Sequence, residues 1–221
     1  MTSRSYRSPL RAEQARQTQR RILDAAYRLL LERGYTATTM GGVAAAAGVS
    51  AQTVYNAFGT KPALVKSIYD VTLVGDDEPV PFADRPEARA LRAEPDPRRF
   101  LLGYAALGRG MVERLGPLLR VLMTGARAGD PELAAFVDTV NGERLTGSRM
   151  MVEHLVELGA LRDGVTVEEA VDAVWMLNSV EVWSLLVEQR GWSGERYADW
   201  VGRAMADAVL PDQERGRAPA R

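Results

Sequence analysis

Residues 38–64 read TTMGGVAAAAGVSAQTVYNAFGTKPAL, which has the pattern of two short helices joined by a glycine turn. Thr39 predicts the cap of the first helix, and Gly48 predicts its end because glycine readily adopts the left-handed conformation of a tight turn. The apolar side of this helix is formed by small residues, Val43, Ala44 and Ala47. Ser50 predicts the cap of the second helix. The pattern is that of a helix-turn-helix, and it makes DNA the first partner to consider.

The second helix is predicted to have one apolar and one polar side. The residues expected to face the core are Ala51, Val54 and Phe58. The polar side carries Gln52, Thr53, Tyr55 and Asn56. Gln and Asn can pair with adenine edges, Thr can touch a thymine methyl group or a phosphate, and Tyr can hold a phosphate oxygen. Lys61, which precedes Pro62 at the start of the next helix, is expected to reach the DNA backbone.

Charge is divided unevenly along the chain. Residues 1–61 contain nine Arg or Lys and three acidic residues, whereas the rest contains 19 basic and 26 acidic residues. The net charge of −1 therefore hides a basic head on an acidic body, as a segregated phosphate-binding domain would produce. A glycine-linked helix pair also occurs in helical domains that bind no DNA, but this division of charge favours the DNA-binding interpretation.

The same region resembles the TetR family of bacterial transcriptional regulators. The resemblance rests on ILDAAYRLLLERGYTATTM (22–40), on VAAAAGVSAQTVYNAF (43–58) and on Lys61. It implies an all-α protein, with a three-helix helix-turn-helix DNA-binding head joined to a helical ligand-binding and dimerisation body. The DNA-binding residues predicted from the pattern and the resemblance together are Thr39, Ser50, Gln52, Thr53, Tyr55, Asn56 and Lys61.

Stop signals divide the chain into segments. These are a flexible basic arm (1–10), the helix-turn-helix DNA-binding domain (11–61), the helical ligand-binding and dimerisation domain (62–211), which begins with a connecting helix (62–74), and a disordered tail (212–221). The arm is predicted to be either a solvated terminus or an element that reaches the minor groove through Arg4 or Arg7.

The body is predicted to contain further helices between glycine and proline stops. Their predicted ranges are 98–115, 118–128, 132–158, 166–190 and 193–210, with a short helical piece at 86–93 inside a proline-rich loop. The helix at 166–190 is apolar almost all round, so it must be buried on more than one side. One side is expected to pair with a second copy of the chain. A two-fold dimer suits a palindromic operator, and a monomer with a well-filled core is the alternative.

Large adaptable side chains and a few polar groups predict an effector site in the body. The candidates are Phe100, Tyr104, Met111, Met123, Met151, His154, Trp175, Asn178 and Glu181. Any Met or Trp among them can equally be ordinary core. Asn178 and Glu181 need partners if they are buried, and a dimer mate or a neighbouring helix would serve as well as a ligand.

Composition argues against enzymatic classes. Cysteine is absent and His154 is the single histidine, so zinc sites and nucleophile–histidine pairs lack their parts, and no cofactor is expected. The absence of a secretory signal and of any apolar run near about 18 residues predicts a cytoplasmic protein with no membrane partner. The sequence thus predicts a homodimeric regulator, a repressor that an unknown small apolar or amphipathic molecule releases from its operator. The alternative is a dimeric small-molecule-binding protein without sequence-specific DNA binding.

Overall fold

The computed structural model describes residues 7–76, 78, 80 and 82–212 of the chain. This part of the chain is all-helical, as predicted. Its α-helices are α1 (Arg7–Ala37), α2 (Met40–Ala47), α3 (Ala51–Phe58), α4 (Lys61–Val74), α5 (Pro86–Arg92), α6 (Pro97–Arg127), α7 (Pro131–Glu157), α8 (Val167–Leu177), α9 (Val180–Trp183) and α10 (Gly194–Val209). A 3-10 turn (Phe82–Asp84) precedes α5, and a π-helical turn (Ser184–Gln189) follows α9.

The helices form two compact units. The first contains the described residues up to Glu78 together with Arg114–Thr139, and the second contains those of 79–113 and of the chain from Val140 onward. The first unit holds α1 to α4 with the end of α6 and the start of α7. The second holds α5, the start of α6, the end of α7 and α8 to α10.

The core of the first unit confirms the apolar side that was predicted for α2. It includes Ile22, Ala26, Leu29 and Leu30 of α1, Val43, Ala44 and Ala47 of α2, Val54 of α3, and Leu64 and Ile68 of α4. Gly34 interrupts α1 with φ +77, which is the left-handed conformation expected of a helix-ending glycine. The last turn of α1 therefore follows a kink, and this turn carries Tyr35, which is buried.

The predicted arm at 1–10 is too long. Helix α1 begins at Arg7, so residues 7–10 are helical and do not extend freely. Arg4 lies outside the described residues, as does the predicted tail from residue 213 onward. The physical reason for the early start is the run from Ala12 to Gln19, which contains no helix breaker and many good helix formers.

The predicted break at Gly116-Pro117 is wrong, because α6 runs unbroken through both residues. Proline inside a helix costs about 3 kcal/mol and restricts the residue before it. Glycine at 116 has no Cβ to meet the proline ring, which relieves part of that restriction. The leucines around the proline supply the compensating burial: Leu115, Leu118, Leu119 and Leu122.

The predicted single helix at 166–190 is also wrong. Helix α8 ends at Leu177, and Ser179 caps α9 by accepting a hydrogen bond from the Val182 backbone N–H at 3.2 Å. The two parts are bent by 42°. A capping box begins α8, with Thr166 and Glu169 bonded to each other's backbone N–H. The break arises because Asn178 and Ser179 hydrogen-bond outside the helical ladder.

No single helix of the described chain is long and apolar enough to cross a membrane. The bent pair of Val167–Leu177 and Val180–Gln189 meets the requirement by length and composition alone. Five apolar residues of this pair belong to the core of the second unit: Ala170, Val171, Val174, Leu177 and Trp183.

Candidate functional site

The turn between α2 and α3 has the geometry predicted for a helix-turn-helix. Thr39 caps α2 by accepting from the Gly42 backbone N–H at 3.0 Å. Gly48 adopts φ +66, and the Val49 backbone N–H then donates back to the Ala44 carbonyl at 3.0 Å. This is the backbone closure that a left-handed glycine permits after a helix. The turn therefore fixes the direction in which α3 leaves α2.

The anchor of α3 is Val54, which is fully buried. Ser50 caps the helix by accepting from the Thr53 backbone N–H at 3.1 Å, and the two hydroxyl groups share a hydrogen bond of 2.8 Å. The predicted core position Ala51 is exposed, because the short α3 rests mainly on Val54 and the half-buried Phe58. One face of α3 is thus held by the core of the unit, and the rest is open to solvent.

The exposed face of α3 carries the polar side chains that were predicted to meet DNA. Gln52 and Asn56 are exposed, and the Gln52 Nε2 donates to the Asn56 Oδ1 at 2.7 Å. The pair still has the Gln52 carbonyl oxygen and the Asn56 amide group to offer a base edge. Tyr55 is half exposed, and no hydrogen bond holds its hydroxyl among the described residues. These groups suit direct contact with base edges and phosphates.

The hydroxyl groups of Thr39 and Thr53 can also contact DNA phosphate. Each hydroxyl group has one donor and two acceptor sites, and capping uses one acceptor of Thr39. Its O–H remains a donor that a phosphate oxygen can accept. The caps of the two helices therefore lie where backbone N–H groups and hydroxyls are both available, which is a common arrangement for phosphate contacts.

Lys61, in the first turn of α4, is not extended into solvent. Its Nζ lies 3.7 Å from the centre of the Tyr35 ring. Partial burial lowers the pKa of Lys61, whereas the nearby carboxylates of Glu132 and Asp130 act in the opposite direction. The Tyr35 hydroxyl donates to the Glu132 Oε2 at 2.6 Å. Sequence reasoning missed Tyr35 and Glu132, since they lie 97 positions apart and carry no local signal.

A second basic feature of the first unit is the exposed surface of α1. The arginines on it are Arg11, Arg16, Arg20, Arg21, Arg28 and Arg33. Arg16 is paired with Glu13, a residue of the same helix. Residues 11–21 contain no buried side chain, so this part of α1 extends beyond the core with its charges in solvent. The surface is suited to non-specific attraction of phosphate.

The second unit holds a polar cluster where part of the effector site was predicted. The Asn178 Nδ2 donates to the Tyr104 hydroxyl at 3.3 Å. Burial raises the pKa of Tyr104, while hydrogen bonds from Ser148 and Asn178 act against that rise. Arg144, which sequence reasoning missed, donates to the carbonyl oxygens of Trp175 at 2.8 Å and of Asn178 at 3.1 Å. The guanidinium also lies 5.3 Å from the Trp175 ring. Arg144 therefore fixes the end of α8.

Two further candidates of the second unit have unsatisfied polar atoms. The His154 ring packs 4.8 Å from the Phe100 ring, centre to centre. The His154 Nε2 and the Trp175 Nε1 are buried and have no hydrogen-bond partner within the described chain. Buried polar atoms of this kind usually have partners, so they invite a ligand or water. Met111 and Met151 lie in the same unit and are partly buried.

Two of the predicted effector residues do not join this group. Met123 belongs to the first unit, whereas the other eight belong to the second. The sequence placed it in the body because the units divide α6 and α7 within their length, which no local pattern reveals. Glu181 is exposed. The polar side chain of α9 thus needs no buried partner, and the break after Leu177 is what turns it outward.

The chain is similar to known bacterial regulators. Residues 22–68 match the family described as "Bacterial regulatory proteins, tetR family". The chain is 28% identical over 159 residues to YdeS of Bacillus subtilis (strain 168), an uncharacterized HTH-type transcriptional regulator. That match covers 72% of this chain and 74% of YdeS.

Solved structures share the fold over most of the chain. FadR, a transcriptional regulator of Bacillus subtilis crystallised with stearoyl-CoA, superimposes with a TM-score of 0.66 at 17% identity, over 86% of this chain and 98% of FadR. NalD, the secondary repressor of the MexAB-OprM multidrug efflux pump in Pseudomonas aeruginosa, superimposes with a TM-score of 0.65 at 20% identity, over 90% of this chain and 100% of NalD. At these identities the likeness shows a common fold.

Proposed function

This chain belongs to the TetR family of DNA-binding transcriptional regulators, and we propose that it is a homodimeric repressor that a small apolar or amphipathic molecule releases from a palindromic operator. The observation that carries the proposal is the exposed polar face of α3, held on a buried Val54 and capped by Ser50. The proposed place of action is the cytoplasm, where bacterial DNA lies.

In the proposed complex, α3 lies in the major groove. Gln52 and Asn56 contact base edges, and Thr53 and Tyr55 contact bases or backbone. Thr39, Ser50 and Lys61 contact phosphates at the ends of their helices. The exposed arginines of α1 add sequence-independent attraction, which raises the rate of encounter with DNA.

The proposed dimer uses the exposed apolar side chains of the second unit. Met176 on α8 is 54% exposed, Leu185 in the π-helical turn is 53% exposed, and Trp200 on α10 is 38% exposed. Large apolar side chains exposed on three elements of the second unit favour an interface over a purely solvated surface. A two-fold axis would then present two α3 helices to two half-sites of one operator.

The proposed effector binds among Phe100, Tyr104, His154, Trp175 and Asn178 in the second unit. These residues supply aromatic surface, two unsatisfied ring N atoms and a tyrosine–asparagine pair, which suits a mostly apolar molecule with one polar end. The stearoyl-CoA bound by FadR is an amphipathic molecule of this general type, bound by a protein of the same fold.

Release from DNA requires two arrangements of the dimer. The effector must bind with higher affinity to the arrangement that fits the operator less well. Equal affinity for both arrangements would not change their populations. A separation of the two α3 helices that no longer matches the half-sites is the simplest difference between the arrangements.

The experiment that tests this proposal is a mobility shift of the full-length protein on the DNA that flanks its own coding region, at two salt concentrations, with unrelated duplex as competitor. Specific retardation that weakens with salt is expected. A subsequent selection of bound fragments from the whole genome covers a distant operator. If that selection returns no enriched sequence, the proposal is overturned.

Matched variants sharpen the test. Tyr55→Phe combined with Lys61→Ala is expected to reduce operator binding and leave the dimer unchanged in sedimentation. Lys66→Ala is the control, because it removes the same charge from α4 at a position paired with Asp70. Addition of stearoyl-CoA and of free stearate to the retarded complex then tests the effector class, and release is expected from an amphipathic molecule that binds the second unit.

A further inference from the structure

The contact between Lys61 and Tyr35 is the starting point. A lysine that reaches for phosphate is usually a flexible chain in solvent, and most of its side-chain freedom is lost on binding. Here the Nζ already lies 3.7 Å from the centre of the Tyr35 ring. No carboxylate forms an ion pair with Lys61 within the described chain, so its charge is held without being neutralised by direct contact.

The ring that holds Lys61 is itself fixed. Tyr35 is buried, and it follows the kink at Gly34, which separates its turn from the rest of α1. Its hydroxyl donates to the Glu132 Oε2 at 2.6 Å. Burial raises the pKa of Tyr35 above its usual range, so the phenol remains protonated and keeps donating. A tyrosine that donates to a carboxylate has an electron-richer ring, which attracts a cation over its face more strongly.

The carboxylate that accepts from Tyr35 lies in the first turn of α7. The Asp130 Oδ1 caps this turn by accepting from the Glu132 and Leu133 backbone N–H groups, at 3.0 and 3.1 Å. Glu132 is therefore held by its own helix start. From there α7 continues as one helix to Glu157 and carries Ser148 and His154 of the second unit.

We propose that Tyr35 and Glu132 are positioning residues for the contact of Lys61 with DNA phosphate, and that the start of α7 sets the position of Lys61 through them. The inference rests on the proposed function, in which Lys61 holds a phosphate. It adds that the charge is delivered from a fixed place, because the Tyr35 ring that contacts Lys61 is itself bonded to Glu132.

Plain electrostatics predicts a different result, and this difference makes the inference testable. Glu132 is an acidic residue near a phosphate-binding lysine, so its removal should raise the affinity for DNA if charge alone matters. If Glu132 positions Tyr35 and Lys61, its removal should lower the affinity. Glu132→Ala is therefore the informative variant, and Asp138→Ala is its control, because Asp138 is an exposed acidic residue of α7 in the same unit.

The measurement is fluorescence anisotropy of the full-length protein on the operator fragment between 50 and 200 mM salt. A dimer that loses one phosphate contact in each protomer loses about 1.8 from the slope of log affinity against log salt. Lys61→Ala is thus expected to make the fall in affinity over this range about 12-fold smaller than for wild type. Glu132→Ala and Tyr35→Leu are expected to reproduce part or all of that change in salt dependence. Tyr35→Phe keeps the ring and is expected to cause a smaller change. Asp138→Ala is expected to leave the slope unchanged.

A double-variant comparison separates positioning from other effects. Glu132→Ala is expected to have no further effect on the slope once Lys61→Ala is present, because both act on one contact. If Tyr35→Leu does not fold, Glu132→Ala and Tyr35→Phe still decide the question. The inference is overturned if Glu132→Ala binds the operator at least as tightly as Asp138→Ala does and its slope is unchanged. That outcome would leave the proposed function standing. If wild type binds no specific duplex, the proposed function and this inference fall together.

Discussion

Arg114 donates from its Nη2 to the main-chain carbonyl oxygen of Leu73 over 2.7 Å, and from its Nε to the carbonyl of the preceding Thr72 over 3.2 Å. These carbonyls lie in the last turn of α4, where the helix leaves such groups without a partner of its own. Gly75 supplies one further bond by donating to the Val71 carbonyl at 2.9 Å. The end of the connecting helix is thus held by a residue of α6.

Replacing Arg114 with Met should fray the end of α4. The change keeps most of the aliphatic stem but removes both hydrogen bonds, so we expect a loss of about 1 kcal/mol in the free energy of unfolding. For a chain of this size this corresponds to a fall of about 2–4 °C in the melting temperature, measured by calorimetry at one protein concentration. Arg114→Lys is the control that retains the charge without the paired donors. Equal stability of Arg114→Met and wild type would show that water replaces the bonds at no cost.

Removing charge from the exposed part of α1 should weaken DNA binding without changing specificity. Arg11→Gln combined with Arg21→Gln takes away two positive charges on each protomer at exposed positions of α1. Affinity for the operator and for unrelated duplex should fall by the same factor, and the salt dependence should become less steep. Arg190→Gln with Arg203→Gln removes the same charge from exposed positions of the second unit and serves as the control in anisotropy titrations. A larger loss for the operator than for unrelated duplex would instead indicate base readout from α1.

Local patterns were sufficient to predict the helix ends on either side of the turn between α2 and α3. Thr39, Gly48 and Ser50 predict helix ends because capping and left-handed glycines act within a few residues, and the structure has each of them in that role. The polar face of α3 follows from the burial of Val54 in the same way. Contacts between residues close in sequence leave a readable pattern.

Errors arose where tertiary packing overrides a local signal. Pro117 lies inside α6 because its leucine neighbours are buried, and Asn178 and Ser179 interrupt an apolar run that reads as one helix. The contact of Tyr35 with Glu132 joins the two ends of the first unit and has no trace in either segment. A single sequence shows what each segment prefers, but it does not show which distant segment it meets.

Arg144 should be required for the stability of the second unit. Its guanidinium satisfies the carbonyls of Trp175 and Asn178 at the end of α8, and the Asn141 side chain accepts from it at 3.0 Å. Arg144→Met leaves partly buried carbonyl groups without a donor, and we expect a loss of about 2 kcal/mol or more. The corresponding fall in melting temperature is about 4–8 °C, measured by calorimetry. Arg149→Met is the control, because it breaks an exposed ion pair with Glu168, which is expected to cost little. A similar loss for both variants would contradict this role of Arg144.

Gln52 and Asn56 should set sequence preference. Their side chains are exposed and bonded to each other on α3, so Asn56→Ala removes a readout group and frees its partner without touching the core. A lost bidentate base contact costs about 1–3 kcal/mol of discrimination, which is a five- to 150-fold fall in the ratio of operator to unrelated-duplex affinity. Competition titrations measure this ratio. Unchanged discrimination with Asn56→Ala and with Gln52→Ala would place base recognition elsewhere on α3.

Gly108 of α6 should tolerate no side chain, because a Cβ there would collide with the amide oxygen of Asn178, the residue that follows α8. Gly108→Ala is expected to displace Asn178, break its bond with Tyr104 and lower the free energy of unfolding by about 1–3 kcal/mol, as overpacking of a filled site does. Gly142→Ala in α7 is the matched control, because nothing lies within 4 Å of its Cβ position. That variant should gain about 0.5–1 kcal/mol from helix propensity. Calorimetry is therefore expected to show a lower melting temperature for Gly108→Ala and a higher one for Gly142→Ala. A stabilised Gly108→Ala protein would show that Asn178 moves aside freely.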